Sequence, residues 1–206
     1  MNRRTYIKTG AMALLATSLV APVAHAKSGM LGKLGPDDFK KANTEAGEKV
    51  KAVKPGTGAL SDSDKELLKE IALGGMWQLE LSKVTASQAS SEDVKMIANA
   101  EVVEQTAVSS KLKEIATAGG AALPEQPDDD TNDMVAKLKK ESGLELDKKY
   151  LKESGIKGHE KLKDTMEKVQ KKAESSALKA LADAALPLIR THLQVAKDEA
   201  DDMDKA

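Results

Sequence analysis

Residues 61–79 read SDSDKELLKEIALGGMWQL, and this stretch decides the fold of the chain. The serines and aspartates at its start are typical of a helix N-cap followed by acids in the first turn, where they meet the positive helix end. Apolar residues then recur three and four positions apart, as at Leu68, Ala72, Met76 and Leu79. This is the period of an amphipathic helix, which we predict over residues 62–89.

The same pattern of cap and apolar stripe recurs along the rest of the chain. It predicts further helices over 92–118, 132–141, 145–172 and 176–201, with a Gly- and Pro-rich loop over 119–130. Gly119 and Gly120 end the second helix, and Pro187 predicts a bend inside the last one. Four long helices joined mostly by short turns predict an all-α, antiparallel four-helix bundle over residues 61–201.

The beginning of the chain predicts export from the cell. Residues 1–26 combine a basic start, a short apolar run and the small residues Ala24 and Ala26 at a cleavage position, as in a bacterial signal peptide. The pair Arg3 and Arg4, followed by Tyr-Ile-Lys, resembles the twin-arginine signal that exports folded proteins. An ordinary secretory signal is the alternative. Both interpretations place the mature protein in the periplasm.

The remaining ends of the chain predict little packed structure. Residues 27–60 are rich in Lys, Gly and Pro and sparse in apolar residues, so we predict a flexible tether there. A short helix over 37–53, around Phe39, is compatible with the sequence, although its apolar spacing is poor. Residues 202–206 are expected to form a C-terminal tail.

Composition limits the classes of function that are open to the protein. The chain has no cysteine, which excludes disulfides, iron–sulfur clusters and thiol nucleophiles. Without residues 1–26, the chain has 29 basic and 33 acidic side chains, which gives a formal charge of −4. No basic face and few aromatic residues are present, so nucleic acid is not an expected partner. No segment of the mature chain is apolar for the roughly 20 residues that a membrane span needs.

An ordered set of short motifs resembles a known bacterial family. The residues concerned are Gly74-Gly75 with Glu80, then Ser142-Gly143, Leu146-Asp147 and Tyr150-Leu151, then His159-Glu160, and finally Leu186-Pro187 with Arg190 and His192. In order and spacing they resemble the family called domain of unknown function 4142, over about residues 60–200. The resemblance implies a ferritin-like fold. It implies no activity, because the family has no settled one.

The second helix departs from the pattern of that family. Its members usually carry an acid followed by histidine at the positions of Glu104 and Gln105, so the acid is kept here and the histidine is replaced. Glu101 stands where the family usually has an apolar residue. These departures bear directly on any metal site that the family shares.

Each of the four long helices offers a polar group beside its predicted core stripe. We predict Glu80, Glu104, His159 and His192 as candidate ligands of a transition metal, with Glu101 and Gln105 in an adjoining polar network of the core. Inward carboxylates and imidazoles on facing helices are how bundle metal sites are built. The alternative is a structural network without a metal, since neither histidine is preceded by the Glu-x-x of di-iron proteins.

Two functions therefore stand open at this point. The sequence favours a non-catalytic protein of the envelope, acting in its maintenance or in stress tolerance through a protein partner. The alternative is a degenerate ferritin-like metalloprotein that binds or oxidises a metal ion. No nucleophile elbow and no phosphate-binding loop is found, so we expect no enzyme of those classes.

Overall fold

Helices make up most of residues 30–205, the part of the chain that this computed structural model describes. They are α1 (Pro36–Ala52), α2 (Asp62–Gln88), α3 (Glu92–Gly119), α4 (Asp129–Leu138), α5 (Gly143–Tyr150), a π-helical segment (Leu151–Gly158), α6 (His159–Lys172) and α7 (Ser176–Lys205). The predicted all-α class is therefore confirmed for this range. The predicted export signal, residues 1–26, lies outside the described residues.

Local capping explains where the first two long helices begin and end. Ser61 Oγ accepts a hydrogen bond from the Asp64 N–H at 3.3 Å, and Ser91 Oγ does the same for Val94 at 3.4 Å. Gly120 follows α3 with a φ of 66°, a left-handed conformation that glycine adopts without strain. The observed bounds of α2 and α3 differ from the predicted ones by one residue each.

The chain over 143–172 is not the single regular helix that the sequence predicts. Its middle, Leu151–Gly158, is π-helical, and this wider turn sits between α5 and α6. Two glycines let it pack closely on its neighbours. A Cβ on Gly155 would lie 2.8 Å from the Ala196 Cβ of α7, and one on Gly158 would lie 2.7 Å from Gln78 Oε1 of α2. A side chain at Gly155 would force the π-helical segment away from α7, and one at Gly158 would displace the Gln78 side chain.

Two buried aspartates each connect one helix to the start of another helix that is distant in the sequence. Asp64, in the first turn of α2, accepts hydrogen bonds from the backbone N–H groups of residues 174–175, just before α7, at 2.9 and 2.8 Å. Asp147, in α5, accepts from the N–H groups of residues 90–91, just before α3, at 3.1 and 2.8 Å. Each carboxylate thus satisfies backbone donors that the helix start leaves unpaired.

The structure contradicts the prediction of a flexible tether for the region that contains α1. This helix packs on α3 and α7, and it buries Phe39, Ala46 and Val50. Phe39 is 1% exposed. The three residues are spaced by seven and four positions, which places them on one helix face. The sparse apolar content of α1 is sufficient, because α3 and α7 supply the rest of the apolar contact.

The predicted C-terminal tail is also helical as far as Lys205, as a continuation of α7. Met203 packs against the core, and Lys148 of α5 pairs with Asp204 at 2.7 Å. Because no helix-breaking residue follows position 201, these contacts extend the helix beyond its predicted end. Within residues 30–205, no helix is long and apolar enough to cross a membrane.

The apolar core has two parts, which lie toward opposite ends of the long helices. One contains Ile71, Val108, Leu162 and Ile189, and the other contains Phe39, Leu81, Ala98, Tyr150 and Val195. The helices therefore pass from one apolar cluster to the other, and their intervening residues form a buried polar layer. That layer holds the candidate site.

Phe39 provides a direct test of whether α1 belongs to the core. We expect Phe39→Ala to lower the free energy of unfolding by about 3 kcal/mol, because it removes a fully buried ring. Lys41→Ala is the matched control on the exposed face of α1, and it should change the stability by less than about 0.5 kcal/mol. Urea unfolding followed by circular dichroism measures both. Equal stability of the two variants would mean that α1 is not packed on the core and that the prediction of a flexible tether is right.

Candidate functional site

A carboxylate without solvent exposure stands at the centre of the polar layer. Glu101 of α3 has its Oε2 atom 3.0 Å from His159 Nε2 of α6 and 2.7 Å from His192 Nδ1 of α7. Its other oxygen accepts a hydrogen bond from Gln105 Nε2 at 2.9 Å, one turn along α3. Glu101 and both histidines are 0% exposed. Three helices thus bring their polar groups to one buried point.

The π-helical segment positions the outer nitrogen of His159. This Nδ1 atom lies 3.0 Å from the Ser154 carbonyl oxygen and 2.8 Å from Gln78 Nε2 of α2. Ser154 Oγ donates to Gln78 Oε1 at 2.6 Å, which ties α2 to the π-helical segment. The widened turn is what brings the Ser154 carbonyl to the ring, five residues before His159.

Helix α1 positions the outer nitrogen of His192. His192 Nε2 lies 2.9 Å from Asn43 Oδ1, and Asn43 Nδ2 donates to the Phe39 carbonyl at 2.8 Å. Because a carbonyl can only accept, this second bond orients the amide with its oxygen toward the imidazole. The Phe39 ring also lies against His192, with ring centroids 5.0 Å apart.

Glu104 approaches the same cluster from α3 and completes no hydrogen bond there. Its Oε2 atom is buried, lies 3.6 Å from His192 Nδ1 and has no hydrogen-bond partner. Leaving a buried carboxyl oxygen unpaired is costly, so such an atom needs a partner, which an ordered water, an ion or a ligand can supply.

Burial and the attraction between opposite charges shift the pKa values of the cluster residues in different directions. Burial opposes ionisation of Glu101, but the two imidazoles outweigh it and hold the pKa of Glu101 below its usual range. Burial also opposes a charge on His159, yet the Glu101 carboxylate raises the pKa of that ring. Burial lowers the pKa of His192, only partly offset by Glu101. Burial, then the charge of Glu101, raises the pKa of Glu104 well above 4.5.

The arrangement offers several metal-binding atoms at one point. Glu101, His159 and His192 each present one ligand atom, and these atoms all lie within 4.8 Å of one another. With the Glu104 oxygen beside them, two imidazoles and two carboxyl groups converge. Such a mixed nitrogen and oxygen set is typical of sites for divalent transition metals.

The structure brings together most of the residues that the sequence predicts, with one exception and one change of role. Glu104, His159 and His192, three of the four candidate ligands, lie together around Glu101. Glu80 does not join them, since it pairs with Lys83 at 2.7 Å with a third of its side chain exposed. Glu101, predicted for the adjoining network together with Gln105, instead contacts both histidines and is the central residue.

Sequence patterns could have found some of the residues that were missed. Gln78 is seven positions after Ile71 and three before Leu81, both buried, so it belongs to the core stripe of α2. Glu80 is two residues further on, about 200° around the helix, and therefore points elsewhere. Asn43 follows Phe39 by four positions, which is a weaker signal. Nothing in the sequence pattern indicated the π-helical turn that presents Ser154.

Comparisons with known proteins identify a family and nothing closer. The model of the family described as domain of unknown function (DUF4142) matches residues 49–198, which is well over half of the chain. No curated protein and no solved structure matches the chain. The matched range contains all the residues of the cluster except Asn43, which lies in α1 just before it.

Replacing the central carboxylate should cost stability in a defined pH range. The raised pKa of His159 stabilises the fold fully below 6.5 and ceases to do so as the pH rises through its folded value. The lowered pKa of Glu101 contributes above 4.5. Without metal, Glu101→Gln should therefore lower the free energy of unfolding by about 3 kcal/mol between these values, and by less once the pH exceeds the raised pKa of His159.

Urea unfolding in the presence of a chelator, repeated across pH 5–9, measures this difference. Glu145→Gln, at an exposed position of α5, is the control for loss of a carboxylate. A deficit that stays constant with pH would mean that Glu101 and His159 do not form a charged pair.

Proposed function

The chain belongs to the family described as domain of unknown function (DUF4142), and we propose that the buried cluster of this member binds a transition-metal ion. Four side chains would hold the ion: Glu101, Glu104, His159 and His192. Among the two functions that the sequence leaves open, this is the metalloprotein alternative. The observation that carries it is the shortage of protons around His192.

Neutral His192 has one proton to share between two acceptors. Asn43 Oδ1 lies 2.9 Å from its Nε2 atom, and Glu101 Oε2 lies 2.7 Å from its Nδ1 atom. Whichever nitrogen carries the proton, the other nitrogen faces an acceptor oxygen with no hydrogen between them. The lowered pKa of His192 opposes a second proton. A cation between Nδ1 and the carboxylates removes the conflict, with the proton of the ring kept on Nε2.

His159 has the same arrangement of an inner and an outer partner. The Ser154 carbonyl requires a proton on Nδ1, which leaves Nε2 free to face Glu101 with its lone pair when a cation is present. If the Gln78 amide is turned by 180° from the orientation described above, its oxygen accepts from this Nδ1–H and its nitrogen donates to Ser154 Oγ. An outer N–H donated to a carbonyl or amide oxygen is the usual support of a metal-bound histidine.

The ligand set favours a single borderline divalent ion. Two imidazole nitrogens and two carboxylate oxygens suit Zn²⁺, Fe²⁺, Cu²⁺ or Ni²⁺. A bound ion supplies Lewis acidity, and a redox-active one also supplies electron transfer. We assign metal binding and no reaction, because the Glu-x-x-His pairs of di-iron enzymes are not present in this sequence.

We also propose the setting in which the protein works. The predicted ferritin-like four-helix bundle consists of α2, α3, the α5–α6 segment and α7, with α1 as an addition to it. Residues 1–26 support export to the periplasm by the twin-arginine route, which carries folded proteins and so allows a metal to be loaded first. A protein partner in the envelope remains compatible with metal binding.

Metal content is the decisive measurement for this function. We expect the mature protein, purified from the periplasm without an affinity tag, to hold about one equivalent of a transition metal. Zn²⁺ added to the metal-free protein at about 100 times the dissociation constant should stabilise it by about 3 kcal/mol, which raises the melting temperature by roughly 5–10 °C. Elemental analysis and calorimetric titration measure the two effects.

Single substitutions test whether the residues of the cluster bind the metal. His159→Leu and His192→Leu should each abolish stoichiometric binding while the helical circular dichroism is kept. Glu80→Gln is the matched control, since this predicted ligand is half-buried and lies outside the cluster, and the variant should bind metal as the wild type does. Metal lost in the Glu80 variant, or absent from the wild type after Zn²⁺ titration, would leave the cluster as a structural network.

Export is tested separately from metal binding. We expect mass spectrometry of the exported protein to find Lys27 at its N-terminus, because cleavage follows the small residues Ala24 and Ala26. Replacing Arg3 and Arg4 together by lysine should stop export if the twin-arginine route is used. Unchanged export of that variant would assign the protein to the general secretory route, and retention of Met1 would exclude cleavage.

A further inference from the structure

A groove lies between α1 and α3, with α7 as its floor, beside the buried cluster. Its cavity measures about 670 Å³. This lies within the range of 300–1,000 Å³ that is common for small-molecule sites. The walls are mostly apolar and include Phe39 and Val50 of α1, Ala100 and Val103 of α3, and Leu188 of α7.

The inner end of the groove is polar and adjoins the buried cluster. Asn43 and Glu104 both line it, and both also contact His192, at 2.9 and 3.6 Å. The Glu104 side chain is 5% exposed and its Oε2 atom has no hydrogen-bond partner. In the metal-free protein the groove therefore has an apolar body and, at its floor, a buried carboxyl oxygen without a hydrogen-bond partner. Sites that bind small molecules commonly combine these two features.

The charges around the groove favour a ligand without net charge. At the rim, Asp37 and Glu48 are balanced by Lys40 and Lys51, and Lys51 pairs with Glu48 at 3.1 Å. At the floor stands a carboxyl group, with the Glu101 carboxylate behind it in the cluster. Any charged group of a ligand would lose its hydration against the apolar walls.

The area of exposed apolar surface is too small for a protein partner. Among the described residues, the large apolar side chains that are exposed are Met30, Met96, Val103 and Leu144, and only Met96 and Val103 border the groove. A stable protein interface usually buries about 800 Å² on each partner, with apolar side chains at its centre. The apolar surface of this groove faces inward instead, where a small molecule reaches it.

We propose that the groove between α1 and α3 binds a neutral, largely apolar small molecule, whose inner end rests on Glu104 and Asn43. The site is additional to the metal cluster, and its occupation does not require a metal. Helix α1 forms one complete wall, so a segment that reads as a tether in the sequence supplies half of the binding surface.

A matched pair of fluorescent probes tests the proposal. N-phenyl-1-naphthylamine is neutral and apolar, and 8-anilinonaphthalene-1-sulfonate is the same molecule with an added sulfonate. Titration of the full mature protein, with a chelator and separately with Zn²⁺, should show saturable binding of the neutral probe. The sulfonate should bind about tenfold more weakly or worse. Equal affinity of the two probes, or no binding of the neutral one, would overturn the proposal.

Substitutions on both walls locate the binding site. Ala100→Trp on α3 and Thr44→Trp on α1 each fill the groove, and each should weaken binding of the neutral probe by about tenfold or more. Ser110→Trp, at an exposed position of α3 outside the groove, should leave the affinity unchanged. Thermal melting of the three variants checks that they are folded. Two folded groove variants that bind as the wild type does would place the probe elsewhere and refute the inference.

Two further measurements distinguish a small-molecule groove from a dimer interface and from the metal cluster. Sedimentation velocity of the wild type should show a monomer, and a dimer that Ala100→Trp abolishes would assign the groove to a second copy of the chain. Zn²⁺ binding, measured on the same variants, should be kept in Ser110→Trp and Thr44→Trp. Probe binding without any Zn²⁺ binding would refute the metal proposal alone, and the reverse result would refute the groove proposal alone.

Discussion

The contact of one buried carboxylate with two imidazoles is the constraint on which the rest of this structure depends. Glu101 has no exposed surface, and an isolated charge in such a position would destabilise a core of aliphatic residues by several kcal/mol. His159 and His192 compensate for it, and both must be held in place by α6 and α7. Each ring then requires a partner for its outer nitrogen, which extends the polar layer to α2 and α1.

Two devices hold the helices in the positions that this layer requires. The π-helical turn shifts the register between α5 and α6, so that the carbonyl of Ser154 reaches the ring of His159. The aspartates at 64 and 147 fasten the start of α7 and of α3 to the opposite half of the fold. The two aspartates begin two similar stretches, DKELLKE at 64–70 and DKKYLKE at 147–153. Each stretch thus binds the start of a helix in the other part of the fold through its first residue.

Helix α1 changes the interpretation of the protein from a bundle with a tether to a fold with a ligand-sized groove. Asn43 orients His192 and also lines the groove, and Glu104 does the same from the side of α3. The buried cluster and the groove therefore share two side chains while each keeps its own chemistry, polar and charged in the cluster and mostly apolar in the groove. A ligand in the groove would lie against Asn43, the residue that orients His192.

The sequence by itself determined the helices, because caps such as Ser61 and Ser91 and the apolar period are local signals. It also predicted that His159 and His192 face the core, since each lies on or beside an apolar stripe, and both side chains are buried. The tertiary structure alone decided that Glu101 is central and Glu80 peripheral, and that α1 is packed. The burial of a polar residue or a sparse helix depends on contacts from other helices, and helical periodicity does not contain that information.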